Sequence, residues 1–307
     1  MYLVTGGAGF IGSNIVDELV RRGERVRVFD NFSTGSIDNL AAVRDRIDIV
    51  EGDLRDMAAL RRAVQGVSYI THQAALRSVP RSVDDPMSTD DVNTHGTLQL
   101  LVAAREAKVK RLVYASSSSA YGDSPLLPKV EDQTPAPISP YAVSKLAAEH
   151  YCRTFSHLYG LETVSLRYFN VFGPKQSPES KYAAVVPLFI RAALDDEPLI
   201  VHGDGEQSRD FTYVENVVAA TISAAGAAGA SGRVFNVAGG APASVNHVAD
   251  TIGEILGRPV EKVFGRPRQG DIRDSWADLT AAREALGYEP AISLEEGLRR
   301  TAEALLT

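Results

Sequence analysis

One cysteine, Cys152, stands among 307 residues, so no internal disulfide can form and a reducing compartment such as the cytoplasm suits the chain. Long hydrophobic runs are missing too. The longest bland apolar tract, Val217 to Ala230, is broken by Gly226 and Gly229 and is too short to span a bilayer, so it reads as an Ala-rich core helix and its trailing turn. Basic blocks are absent and the net charge is -7, which speaks against a nucleic-acid surface. There is no internal repeat, no low-complexity linker and no room for a signal peptide ahead of the first strand, so no membrane or secreted class is expected. No metal site is expected either. What remains, 44% hydrophobic, suffices for one large core or a core with a smaller lobe.

The chain opens on Met1 to Val4, an apolar run that breaks into Thr5-Gly6-Gly7-Ala8-Gly9-Phe10-Ile11-Gly12. Gly7 to Gly12 reads as G-x-G-x-x-G between a strand and a helix, the phosphate-binding turn of a dinucleotide fold. Glycine there permits a tight turn, lets backbone N–H groups approach a pyrophosphate, and allows close helix packing. Gly6, Gly9, Phe10, Ile11 and Gly12 are therefore candidate cofactor contacts. A helix from Ser13 to Arg22 ends at Gly23, and Arg25 to Asp30 forms a second strand closing on an acid. Asp30 lies 18 residues after Gly12, where a carboxylate accepts the hydroxyls of an adenosine ribose and repels a 2′-phosphate, favouring NAD over NADP.

Asn31 and Ser33 follow in a turn-rich loop beside that ribose. Ile47 to Asp53 is a third strand whose end, Asp53-Leu54, flanks the adenine; a helix from Met57 to Val64 leads to strand four, Tyr69 to Ala75. Helix 93–107 and strand Arg111 to Ser116 come next. Strands alternating with helices at this rhythm predict an α/β fold, a Rossmann-like doubly wound parallel sheet, with ligands at the carboxyl ends of its strands. Gln73, Ala74 and Ala75 fall at one such end, and His72 reads as a packed strand residue.

Strand five runs into Ser116-Ser117-Ser118-Ser119-Ala120-Tyr121-Gly122, and after a proline-rich loop comes Pro140-Tyr141-Ala142-Val143-Ser144-Lys145. Four residues apart on a helix, Tyr141 and Lys145 share a face. A phenol of pKa ~10 is a poor base at neutral pH, but a neighbouring ammonium and an oxidised nicotinamide favour its phenolate. That is what alcohol oxidation needs, with a strand-end hydroxyl to orient the substrate oxygen. Such a pair can also be an inert helix-surface couple; the dinucleotide turn upstream promotes it to chemistry.

With these motifs, and with Arg167-Tyr168-Phe169-Asn170-Val171-Phe172-Gly173-Pro174, Ser208-Arg209-Asp210-Phe211-Thr212-Tyr213-Val214 and Gly270-Asp271, the chain resembles the extended short-chain dehydrogenases/reductases over essentially its whole length. Within them it is similar to the nucleotide-sugar 4-epimerases of the UDP-galactose type. The resemblance implies bound NAD, retained between turnovers, and a catalytic set of Ser117, Tyr141 and Lys145. Tyr141 takes the proton of the sugar 4-hydroxyl while hydride leaves C4 for NAD, and the resulting 4-keto sugar turns over and takes the hydride back on its other face. Tyr168 then lies by the nicotinamide. Arg77, Ser117, Ser118, Tyr141, Asn170, Val186, Arg209, Arg268, Asp271 and Ser275 are implied substrate contacts, Arg209 and Arg268 on the diphosphate, where a planar guanidinium suits phosphate oxygens.

Where related 4,6-dehydratases carry an Asp-Glu pair this chain has Ser118 and Ser119, and the glutamate of the decarboxylating relatives is missing, so neither reaction is expected. Residues 1–169 read as the NAD-binding domain, with about 211–237 returning to it, and 170–307 as mainly the UDP-sugar lobe. The resemblance also implies a homodimer pairing helices 94–107 and 141–158, for which Leu98, Leu101, Ala142, Leu146 and Ala147 supply apolar surface or else internal core. UDP-glucose/UDP-galactose, UDP-N-acetylglucosamine and UDP-glucuronate stay open as substrates, with Arg191 or Arg77 as carboxylate partners for the last. Ser275 stands where strictly hexose-specific relatives carry a tyrosine. An idle NAD-binding relative or an NADP-dependent reductase are the other readings.

Overall fold

The computed structural model describes residues 1–178, 184–267 and 272–306. In chain order the first part runs β1 (Tyr2–Thr5), α1 (Phe10–Arg21), β2 (Val26–Asp30), β3 (Ile47–Glu51), α2 (Met57–Ala63), β4 (Tyr69–His72), α3 (Val79–Asp84), α4 (Pro86–Asp90), α5 (Gly96–Glu106), β5 (Arg111–Ser117), α6 (Pro140–Tyr159) and β6 (Glu162–Tyr168). The second part runs β7 (Val171–Phe172), α7 (Val185–Leu194), β8 (Leu199–His202), β9 (Ser208–Asp210), β10 (Thr212–Tyr213), α8 (Val214–Gly226), β11 (Arg233–Val237), β12 (Pro242–Ser244), α9 (Val245–Leu256), β13 (Lys262–Gly265), β14 (Asp274–Ser275), α10 (Thr280–Leu286) and α11 (Leu294–Leu306). Seven parallel strands form the central sheet in the order β11-β6-β5-β4-β1-β2-β3. Its strand order reverses between β1 and β4, which opens a crevice at their carboxyl ends.

The central strands β1, β4 and β5 are buried almost throughout because both faces are covered, whereas the edge strand β3 alternates polar and apolar residues and stays partly exposed. Leu3, Phe29, Ile70, Leu112 and Tyr114 pack with Leu60, Leu100, Leu101, Ala148, Cys152 and Phe155 of α2, α5 and α6. Val4, Val28, Val113, Val164 and Leu166 join Ile15, Val16 and Leu19 of α1 and Val214 and Val217 of α8. Small sheets, β12-β9-β14, β13-β8 and β10-β7, carry the C-terminal part onto the carboxyl edge. No helix among the described residues is long and apolar enough to cross a membrane.

Element ends differ from the sequence reading where tertiary contacts intervene. Helix α1 begins at Phe10 because the glycine turn feeds straight into it, and β4 ends at His72, with a last ladder bond from Gln73 N to Thr5 O at 3.1 Å. The expected helix 93–107 is α5 preceded by a π-helical turn, Asp91–His95.

Candidate active site

A cleft of about 750 Å³ opens over the switch point, within the size range of small-molecule sites. Gly6 sits in the left-handed region at φ +66°, and a Cβ on it would lie 2.6 Å from Ala74 N. On Gly12 a Cβ would lie 2.1 Å from Gly6 O, so any side chain there would fill the turn. Gly9 caps α1 with no side-chain bond, leaving the helix N-terminus facing the cleft. This cradle of bare backbone N–H groups fits a dinucleotide's pyrophosphate.

Asp30 closes the turn from the other side, its Oδ2 accepting from Ala8 N and its Oδ1 from Phe32 N, both at 2.9 Å. Each oxygen keeps a lone pair for a further donor. Asn31 accepts from Ser33 N and Oγ at 3.1 and 2.7 Å and donates to Asp53 Oδ2 at 2.8 Å. Arg55, hydrogen-bonded to Asp53, holds that carboxyl well below the usual range. Leu54 is buried against Gly96, whose added Cβ would come within 2.8 Å of it.

Ser117 ends β5, and its Oγ accepts from Ser119 N at 3.2 Å and Ser119 Oγ at 2.8 Å. Ser118 stands beside it on the same wall. Tyr141 lies in the first turn of α6, where Ser139 caps the helix by accepting from Ala142 N and Pro140 presets the backbone. Burial pushes the Tyr141 phenol up, while a hydrogen bond shared with Ser117 and the charge of Arg77 draw it down. Lys145 is 4% exposed, donates to Ala115 O at 2.9 Å, and is pushed down to about 8 by burial. Its Nζ lies 5.1 Å over the Tyr114 ring.

Three polar devices around this group escaped the sequence reading. Asn93, in the π-helical turn, accepts from Leu76 N at 2.8 Å and donates to Leu76 O and Ser144 Oγ, both at 3.0 Å, so it pins the 73–77 segment to the Tyr141 helix. Glu149, one turn beyond Lys145, makes a buried pair with Arg167 at 2.7 Å and accepts from Ser116 Oγ at 2.6 Å. Asp210 is wholly buried, accepts from Gly240 N at 3.0 Å and Ala277 N at 3.3 Å, and is pushed up to about 6 by burial. The signals in sequence, an Asn-Thr-His-Gly run and the acids Glu149 and Asp210, name none of these partners. His72, 1% exposed, lies 2.6 Å from Thr5 Oγ1 and 2.9 Å from Thr97 Oγ1 and is pushed down to about 3 by burial, so it stays neutral. Thr97 donates to Asn93 O, which leaves it to accept from His72 Nε2–H.

Gln73, Ala74, Ala75, Arg77, Tyr168, Asn170, Arg209 and Ser275 all reach the cleft. Tyr168 OH lies 3.4 Å from Gln73 Nε2 and 2.7 Å from Thr221 Oγ1. Asn170, at φ +33°, donates to Asp210 O at 3.2 Å. Arg209 on β9 stands in register with Ser275 on β14, and Ser275 is 8% exposed. Two expectations need correction. Val186 is 1% exposed within the apolar core of the lobe, not on the cleft, because the Val185–Leu194 helix turns that face inward. Arg191 lies outside the cleft wall, half exposed and 3.8 Å from Asp195 one turn on. Arg268 and Asp271 lie outside the described residues.

Residues 2–238 match the model of the NAD dependent epimerase/dehydratase family. The UDP-glucose 4-epimerase of Mycolicibacterium smegmatis is 40% identical over 309 residues, 98% of this chain and 97% of that one. A UDP-glucose 4-epimerase of Thermotoga maritima, solved with UDP-glucose, is similar at 39% identity and a TM-score of 0.95, covering 99% of this chain and 98% of that one. The UDP-glucuronic acid 4-epimerase of Bacillus cereus, solved with UDP-glucuronic acid and NAD, is similar at 31% identity and a TM-score of 0.91, over 99% and 98% of the two chains.

Proposed function

The chain belongs to the NAD-dependent epimerase/dehydratase family, and from that membership we propose that it inverts C4 of a UDP-sugar, UDP-glucose/UDP-galactose first and UDP-N-acetylglucosamine as well. It is an isomerase with NAD as cofactor. The observation that carries the reading is the convergence of Ser117, Tyr141 and Lys145 on the cleft that holds the glycine cradle. NAD, when bound on that cradle and Asp30, supplies the acceptor and later the donor of the C4 hydride.

The chain's own groups handle the proton. Tyr141 accepts it from the 4-hydroxyl and returns it, Ser117 orients the sugar oxygen, Lys145, fixed on Ala115 O, presents its ammonium to the cleft from the same helix face, and Arg77 is the cation that draws the phenol down. Asn170 and Arg209, both on the cleft lining, are assigned to the diphosphate on this reading. Ser117, Ser118, Ser119 and Ser275 are small hydroxyl residues on the cleft lining, and on this reading they give a 2-acetamido group room as the ketone turns. UDP-glucuronate is the second reading, supported by Arg77 on the same cleft wall. We also infer a homodimer through α5 and α6, since Val143 is 51%, Tyr151 38% and Leu158 64% exposed along α6. Leu101 and Ala142, expected as dimer surface or core, are buried in the protomer.

The test is kcat/KM for a panel of UDP-sugars without added cofactor, in wild type and in Ser275→Tyr. Added bulk is expected to cost the N-acetylated sugar at least ~2 kcal/mol of transition-state binding while largely sparing UDP-glucose. Equal losses for every sugar, or none, would show that Ser275 does not set the room.

A further inference from the structure

The segment that leaves β7 through Gly173 and Pro174 turns back onto the helix behind the glycine cradle, and Lys175 anchors it there. Lys175 adopts φ +70°, a left-handed conformation that a side chain other than glycine or asparagine takes reluctantly. Its Nζ lies 2.5 Å from Asp17 Oδ2 on α1 and 2.7 Å from the carbonyl of Asn39. One residue earlier, Pro174 O accepts from Asn14 Nδ2 at 3.2 Å, also on α1.

Asn39 extends the connection inward. Its side-chain amide donates to Ala8 O at 2.8 Å, and Ser36 N donates to the same carbonyl at 3.1 Å. Ala8 is the residue whose N–H is held by Asp30. A continuous set of bonds therefore runs from Lys175 through the far end of the 31–39 loop to the glycine turn. That loop supplies Ser33, Thr34 and Gly35 to the cleft wall, and the segment carrying Lys175 supplies Asn170, Val171 and Gln176 to it. The two walls are far apart in sequence: 136 residues separate Lys175 from Asn39. Exposed ion pairs contribute little, but here the Lys175 side chain is 25% exposed and binds a carbonyl as well as a carboxylate, with its backbone held in a disfavoured conformation.

We propose that Lys175 is a latch on the dinucleotide: it pins the loop beside the adenosine ribose and the cradle helix to the substrate-side wall, and so slows departure of NAD. It is a positioning residue, with no contact to Tyr141, Ser117 or Lys145, and the proposal rests on the reading above that NAD stays bound between turnovers.

The experiment loads wild type, Lys175→Met, Lys175→Arg and Asp17→Asn with labelled NAD and chases with excess unlabelled NAD. Release from Lys175→Met and Asp17→Asn is expected to be about tenfold faster or more, Lys175→Arg within about threefold of wild type, and kcat at saturating NAD within about threefold for all four. The Asp17 variant keeps the test alive should the methionine protein not fold. Unchanged release in these variants, or a fall in kcat matching the gain in release, overturns the latch. If wild type itself exchanges NAD as fast as the chase can resolve, retention is refuted separately; equilibrium NAD affinities then decide, and equal values in wild type and Lys175→Met overturn the latch.

Discussion

Burial disfavours the ionised form of both Lys145 and Tyr141, and for the phenol a hydrogen bond shared with Ser117 and the charge of Arg77 offset part of that cost. The ammonium of Lys145 is pushed down to about 8 from 10.5. A folded-state value below the unfolded one means the stability contribution is full above pH 10.5 and is lost as pH falls through 8, so at pH 7 the charged lysine opposes folding, by ~3 kcal/mol from the size of the shift. Lys145→Met, compared with wild type after both are stripped of nucleotide, should therefore be more stable at pH 7 by about 2 kcal/mol once the lost bond to Ala115 O is subtracted. The advantage should close between pH 8 and 10.5 in thermal melts, and a difference independent of pH would contradict a buried-charge origin. Tyr141→Phe makes a cleaner loss. It removes the proton acceptor and little packing, so kcat is expected to fall ~10²–10⁴-fold with NAD content unchanged. A variant keeping more than about a tenth of wild-type rate would remove Tyr141 from the role of base.

At the scale of elements, the turn between β1 and α1 leaves no space for a side chain. Gly12→Ala places a methyl group 2.1 Å from Gly6 O, a contact that only backbone movement can relieve. The expected result is a destabilisation of ~1–3 kcal/mol and a protein that purifies without NAD. Gly226, at the end of α8, meets nothing within 4 Å, so Gly226→Ala is the matched control and should leave both melting and NAD content alone. If both variants behave alike, the crowding at Gly12 has no bearing on the cofactor. The π-helical turn at Asp91–His95 is a second element whose shape follows from one side chain, because Asn93 bonds to Leu76 and to Ser144 between Tyr141 and Lys145. An extra residue in the turn aims that amide inward, a use such bulges commonly serve.

For the whole molecule, the outer face of α6 leaves Val143, Leu158 and Tyr159 in solvent, more apolar surface than a charged monomer helix needs. On the proposed pairing with a second copy this face is the interface, and Leu158→Glu is then expected to shift sedimentation from dimer to monomer at unchanged NAD content. A wild type that sediments as a monomer would refute the pairing outright. The cleft, too, belongs to the whole chain. Residues from Gly6 to Ser275 line it, and Asp210 joins the segments at 239–240 and 277 beneath Arg209.

The order of strands and helices, the glycine turn, the acid at Asp30 and the Tyr141–Lys145 face were all legible in the sequence, because each is set by neighbours within a turn or a strand repeat. Pairings across long separations were not. Val186 sits in Val185-Val186-Pro187-Leu188-Phe189-Ile190, where every residue is apolar and no periodicity distinguishes a cleft face from a core face; packing alone buried it. Arg191 could be counted as a cation but not aimed, since the helix rotation that sends it to Asp195 is fixed by Phe189 and Ile190 in the core. Asn93 against Leu76, Asp210 against Gly240, Ser275 beside Arg209 and Lys175 on Asn39 required the folded chain. A polar side chain declares in sequence that it needs a partner once buried, while the identity of that partner is decided by which backbone or side-chain group the tertiary packing brings within 3 Å or so.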